Sequence, residues 1–200
     1  MKTVIKNLKK GTLLVVMCTA LLSNASEISS LKDVNLKKTA LTIKDVKEGN
    51  LLSIKDNNGI TLYKEIIEES GLYKKGFDLT ELPNGYYFFE LNKGLQIKTI
   101  PFIVRNNEVL FNKEKETTFF KPTTRVKNNR IFVSKLSLKE NPVKIELYYL
   151  GNGDAELIHE ELIENTKTVE RIYKLDEKKK GTYKIVYKSE GRVISNYINL

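Results

Sequence analysis

A pattern of about thirty residues occurs twice in this chain, and nothing else in it limits the possible folds as strongly. The first copy holds Leu62-Tyr63-Lys64-Glu65, then Asp78-Leu79, then Gly85-Tyr86-Tyr87-Phe88-Phe89, then Gly94. The second holds Leu157-Ile158-His159-Glu160, then Leu175-Asp176, then Gly181-Thr182-Tyr183-Lys184-Ile185, then Gly191. Leu79 to Gly85 and Leu175 to Gly181 are the same step, and the interval from Leu62 to Leu79 differs from that between Leu157 and Leu175 by one residue. Two copies of one supersecondary unit mean two similar modules in tandem. Matched this way, Lys64 corresponds to His159, Tyr87 to Tyr183, and Tyr86 and Phe88 to Thr182 and Lys184.

Within each copy the apolar residues alternate. Leu52 and Ile54 share one face, as do Tyr87, Phe89 and Leu91, and later Ile131 with Val133 and Ile145 with Leu147. Turn signals separate the runs: Gly49-Asn50, Asn57-Asn58-Gly59, Pro83-Asn84-Gly85, Asn106-Asn107 and Gly151-Asn152-Gly153-Asp154. Short, regularly spaced strands of this kind predict an all-β chain. The expected architecture is two antiparallel β-sandwich modules of immunoglobulin type, at residues 36–112 and 128–200, joined by a charged linker at 113–127 in which Thr117-Thr118-Phe119-Phe120 is open to being a strand of either module. Ser26 to Asn35 reads as a polar, mobile lead-in. Ala155 to Asn165 has a helical composition after a possible N-cap, Asp154, but its match to the Leu62 segment favours a strand.

The first copy resembles a widespread immunoglobulin-like module of secreted bacterial proteins, through Ile54, Asp56, Gly59, Leu62-Tyr63, Asp78-Leu79, Leu82, Gly85 and Tyr87. The same pattern occurs in the C-terminal sorting domains of the type IX secretion system. The likeness covers Gly49 to Phe102 and, more weakly, Pro142 to Ile198. It implies the fold; its residues are core and turn residues, which carry no chemistry of their own. The better copy is internal, and the C-terminus lacks a basic ending, so the sorting role is not carried over with the fold.

Lys2, Lys6, Lys9 and Lys10 precede an apolar run from Gly11 to Leu22, and Ser23-Asn24-Ala25 follows as a cleavage site. This is the pattern of an export signal, residues 1–25. The run is shorter than the ~20 residues that span a bilayer, so no membrane anchor is expected to be retained. Cleavage removes Cys18, the only cysteine, so the mature chain has no disulfide. It also removes four lysines, lowering the formal charge from +9 to +5. The remaining charges are interspersed, as in Lys113-Glu114-Lys115-Glu116, and not gathered into the stripe a nucleic-acid binder needs.

Candidate chemistry is sparse. His159 is the only histidine, so no histidine metal cluster is available, a Cys–His or Ser–His relay has just one possible base, and its match to Lys64 places it outward. Glu68-Glu69 and Glu160-Glu161 are adjacent in strands and point to opposite faces, whereas a glycosidase needs its two carboxylates facing across a cleft. Asp56-Asn57-Asn58-Gly59 with Glu65 imitates half a calcium loop, but Ile54 stands where the first ligand belongs. No catalytic residue, metal ligand or cofactor site is expected. Tyr86 and Phe88 are the binding candidates, because they lie opposite the core pair Tyr87 and Phe89 and the repeat does not require them. The expected function is an exported, non-enzymatic module making protein or glycan contacts at the cell envelope or surface, periplasmic or extracellular. A sorting or assembly accessory of a secretion system is the alternative, and a hydrolase a distant third.

Overall fold

The computed structural model describes residues 28–32, 39–151 and 154–200. The expected export signal, residues 1–25, lies outside them, as do Asn152 and Gly153 of the second hairpin turn. Among the described residues the chain is all-β, apart from one 3-10 turn at Lys113–Lys115.

Strands β1 (Ile28–Lys32), β2 (Thr39–Val46) and β5 (Gly71–Phe77) form one sheet. Opposite it lies a second sheet of β4 (Thr61–Ile66), β3 (Leu51–Asp56), β6 (Gly85–Asn92), β7 (Gln96–Arg105) and β8 (Glu108–Phe111), in that order. A short strand, β9 (Thr117–Phe120), also pairs with β7. The second module repeats the plan. Strands β10 (Thr123–Lys127), β11 (Arg130–Leu136) and β14 (Thr168–Lys174) oppose β13 (Glu156–Ile163), β12 (Val143–Tyr149), β15 (Thr182–Ser189) and β16 (Arg192–Asn199). In each unit the first, second and fifth strands face the fourth, third, sixth and seventh, and every pairing is antiparallel. This is the immunoglobulin-like sandwich.

The alternation seen in the sequence sets the cores. Leu41, Leu52, Phe89, Leu91, Ile100 and Phe102 are buried in the first module, and Ile131, Val143, Ile145, Val169, Ile185 and Tyr187 in the second. Asn106-Asn107 and Asn128-Asn129 each carry two successive positive φ angles, the requirement of the two-residue hairpins that join β7 to β8 and β10 to β11. The repeated tyrosines do more than fill space. Tyr87 donates its hydroxyl to the Pro83 carbonyl at 2.9 Å, and Tyr183 donates to the Lys179 carbonyl at 2.7 Å. Each pins the loop that crosses between sheets onto the strand it enters, the tyrosine corner of such sandwiches.

Three local expectations change or resolve. Ala155 to Asn165 holds the strand β13, not a helix. The polar lead-in contains β1, whose backbone pairs with β2 from Ile28↔Ile43 to Lys32↔Thr39; a sheet edge satisfies backbone groups whatever the side chains. Within 113–127, the strand left open at Thr117-Thr118-Phe119-Phe120 is β9, paired with β7 of the first module, while β10 pairs with β11 of the second, and Lys121 and Pro122 lie between them. Four-residue strands rich in threonine are too short to show a period, and Phe119 is buried against Ile97 of β7.

The modules touch around that phenylalanine. From the second module, the Lys135 ammonium stands 4.6 Å and the Arg192 guanidinium 5.5 Å from the Phe119 ring centre. Arg192 also forms a 2.7 Å ion pair with Glu90 on β6 and reaches the Thr99 hydroxyl at 3.4 Å.

Candidate functional site

Tyr86, Phe88 and Glu90 share the face of β6 that points away from the core. Across the sheet they fall into three rows. Tyr86 stands beside Ile103 of β7, which in turn stands beside Leu110 of β8. Phe88 lies between Lys55 of β3 and Pro101 of β7. Glu90 lies between Ser53 and Thr99. The second module occupies the Glu90–Thr99 row through Arg192. Tyr86 is 64% exposed and Leu110 56%, with Phe88 half-buried. One sheet face thus has a covered polar end and an open apolar end. The sequence singled out Tyr86 and Phe88 but missed Ile103 and Leu110, because cross-strand neighbours depend on register and leave no local signal. Glu90 is the electrostatic boundary between the two ends. Burial pushes its carboxyl up, but hydrogen bonds from Lys55 and Arg192 outweigh that and hold it below the usual carboxylate value.

A second constellation was hidden by a one-residue slip. The pairings Ile54↔Tyr63 and Leu147↔His159 make His159 the counterpart of Tyr63, not of Lys64, and make Glu161 the counterpart of Glu65. A slip of one residue exchanges the two faces of a strand. His159 therefore lies on the Glu161 side, 3.8 Å from that carboxylate and 5.2 Å from the Tyr173 ring. Arg171 donates to Glu161 at 2.9 Å, and the Tyr173 hydroxyl donates to it as well. In the first module Glu65 accepts from Tyr63 at 2.5 Å, and from Tyr73 and Lys75. Each cluster bridges edge strands of opposing sheets, β4 to β5 and β13 to β14, and so closes the open side of its sandwich. Burial would raise the Glu65 carboxyl, but hydrogen bonds from Lys75, Tyr63 and Tyr73 hold it low. Burial is likewise outweighed at Glu161 by Tyr173 and Arg171. Burial and the carboxylates they serve push the Tyr73 and Tyr173 phenols far above their ordinary value. Such groups hold strands together; neither glutamate is matched by a second carboxylate across a cleft.

The remaining candidates resolve into structure. Asp56 accepts the backbone N–H groups of Asn58 at 2.9 Å and Ile60 at 2.8 Å, which completes a hairpin turn. Glu160 pairs with Lys144 at 3.1 Å on the face opposite Glu161. Glu68 and Glu69 are exposed in a loop. Among the described residues no three histidine, cysteine, aspartate or glutamate side chains are grouped to hold a metal ion, and no helix is long and apolar enough to cross a membrane.

No protein-family model and no curated protein matches the chain. Among solved structures it is similar to the human OSCAR ligand-binding domain, at 9% identity and a TM-score of 0.26, over 86% of this chain and 96% of that one. It is also similar to the BSP domain of a biofilm associated protein, at 12% identity and a TM-score of 0.26, over 87% of this chain and 29% of that one. At those TM-scores the assignment of the fold rests on this chain's own strand order.

Proposed function

We propose that the chain is an exported, non-enzymatic protein that makes protein or glycan contacts at the cell envelope or surface, through the open end of the outer face of β6, β7 and β8. Two sandwich modules carry this role, the first ending with β9 and the second beginning with β10. The supporting observation is the row Tyr86–Ile103–Leu110, with Phe88 beside it: an aromatic and aliphatic surface left uncovered while the same face is closed by the Glu90–Arg192 ion pair four residues further along β6. An aromatic ring standing on a rigid strand supplies a flat stacking area at low entropic cost, which suits a sugar face or an apolar protein patch.

The test is a glycan array and an immobilised-protein pull-down with the mature protein purified from its native host, whose intact mass should begin at Ser26. Replacing both Tyr86 and Phe88 by alanine should weaken ligand capture at least about tenfold, the effect of losing a hot-spot aromatic. Undiminished binding by a folded double variant would place the contact elsewhere, and turnover of a substrate by the purified protein would overturn the non-enzymatic reading.

A further inference from the structure

Strand register gathers charges that the sequence scatters. On the outward face of the β10–β11–β14 sheet, Arg130 stands directly between Lys127 of β10 and Lys174 of β14. In the next row Phe132 stands between Arg125 and Ile172, and in the row after that Ser134 stands between Thr123 and Glu170. Ile131, Val133 and Val169, which alternate with them, are buried in the core. The face therefore carries four cations and one carboxylate, Glu170, which lies four residues along β14 from Lys174, roughly 13 Å away. All four cations are exposed, and among the described residues none of them forms an ion pair.

Such a row costs stability by itself. Like charges directly opposite on neighbouring strands repel, and Arg130 has one on either side. The other sheet of this module resolves the same conflict. Lys144 and Lys188 are also directly opposite, but Glu146 pairs with both, at 3.3 and 2.7 Å. Among the described residues no carboxylate plays that part for Lys127, Arg130 and Lys174. Nor does the repeated fold require cations there, since on the same face of the first module β2 and β5 set Ala40 beside Gly76 and Thr42 beside Lys74. Two open depressions adjoin the row. One of about 360 Å³ is lined by Arg125, Phe132, Ser134 and Glu170, and another of about 310 Å³ by Arg125, Lys127 and Phe132.

We propose that this face binds an acidic polysaccharide in which sugars bearing a carboxylate alternate with uncharged ones. The unneutralised row specifies the charge. A carboxylate seated on it meets the planar fork of Arg130 between two ammonium groups, and supplies the counter-charge that the fold lacks. Phe132, half-buried in the next row with Arg125 beside it, gives the apolar face of a sugar ring a surface to rest on. Beyond it the Thr123 and Ser134 hydroxyls and the Glu170 carboxylate suit sugar hydroxyls. Glu170 repels a second acid, so an uncharged sugar belongs over that row. A nucleic-acid strand needs a longer basic track and a succession of rings on which to stack its bases. Phe132 is the one aromatic that faces outward on these three strands. The proposal rests on the reading of the chain as an exported protein that makes glycan contacts, but on a site in the second module that shares no residue with the Tyr86 face.

The probe is a hyaluronan hexasaccharide, in which glucuronate alternates with N-acetylglucosamine, labelled for fluorescence polarisation and added to the mature protein. Saturable binding is expected, weakening as salt is raised. The carboxyl methyl ester of the same hexasaccharide keeps the sugar chain, removes the charge and should not bind. Arg130→Gln should weaken binding at least about tenfold. It should leave the Tm of the free protein level or raised, because it relieves the repulsion within the row, whereas loss of a merely structural residue would lower it. Phe132→Leu keeps an apolar side chain without the ring and should weaken binding too. Tyr86→Ala with Phe88→Ala should leave it unchanged. The proposal falls if the hexasaccharide does not bind, if the ester binds equally well, or if Arg130→Gln binds like the wild type. It also falls if a single-stranded DNA dodecamer or polyglutamate displaces the probe as readily as unlabelled hexasaccharide, which would make the face a general polyanion surface. Binding lost in the Tyr86 and Phe88 variant but kept in Arg130→Gln would move the glycan to the aromatic face, overturning this site while sustaining the other.

Discussion

At the scale of single residues, neighbours on one strand have opposite duties. Tyr87 and Tyr86 are adjacent, yet Tyr87 is buried between the sheets and Tyr86 faces outward. Tyr87 stacks on Phe102 at 5.6 Å and donates to Pro83 at 2.9 Å. Truncating it leaves a cavity, so Tyr87→Ala should cost about 3–5 kcal/mol in urea unfolding, whereas Tyr86→Ala should stay within about 0.5 kcal/mol. Tyr87→Phe and Tyr183→Phe keep the packing and remove only the corner hydrogen bond, at a cost of about 0.5–1.5 kcal/mol. Equal losses for Tyr86→Ala and Tyr87→Ala would mean that the two faces of β6 are exchanged. The equivalence of Tyr87 and Tyr183 was legible because each follows a glycine by two residues in a matched frame. The partners of their hydroxyls were not, since a backbone carbonyl is chosen by the path of the chain and not by residue type.

At the scale of strands, the glutamate clusters hold each sandwich shut along one side. Both carboxyls sit below their usual value, so the sign is that of a depressed acid: the stabilisation is complete above the unfolded-state pKa and is lost as pH falls through the folded value. Charge-assisted hydrogen bonds are worth about 1.5–3 kcal/mol, so Glu65→Gln and Glu161→Gln should each destabilise by roughly that amount at pH 7. The gap between variant and wild type should narrow as pH falls below about 4.5 and close once the native carboxyl is protonated. Urea titrations at stepped pH read this directly, and a gap that persists unchanged to low pH would show that the carboxylate charge is not what binds β4 to β5 or β13 to β14. These clusters were only half legible. The cores, turns and strand count follow from alternation, but Glu160-Glu161 offers two glutamates to align with Glu65, and the leucines favour the wrong one. Register shifts at Ile54/Lys55 and Leu147/Tyr148 absorb the extra residues, and a shift of that kind leaves no mark in composition.

At the scale of the whole molecule, the junction determines how the two modules behave together. Phe119, Lys135 and Arg192 belong to strands far apart in sequence, and the Glu90–Arg192 contact closes a loop of 102 residues, beyond any local pattern. Their arrangement has a specific logic. Phe119 is buried between two cations, whose attraction to the ring face adds to the apolar contact. Those cations have carboxylate partners, Arg192 with Glu90 at 2.7 Å and Lys135 with Glu190 at 3.5 Å. The Lys135 side chain is fully buried, and burial lowers its pKa while Glu190 opposes the shift. Removing one partner from such a network leaves the other buried without a counter-charge, so single substitutions act across the junction and not within one module. Arg192→Ala strands Glu90 with Lys55 alone, and Phe119→Ala removes the surface both cations cover. Wild-type protein should therefore unfold in one calorimetric transition, because each module stabilises the other through this contact. Arg192→Ala combined with Phe119→Ala should split it into two, with the modules melting separately. The double variant should also show non-additivity of about 0.5–3 kcal/mol against the single ones, as residues in one network do. A single transition in the double variant, with additive losses, would mean that the two sandwiches are coupled by something other than the clasp around Phe119.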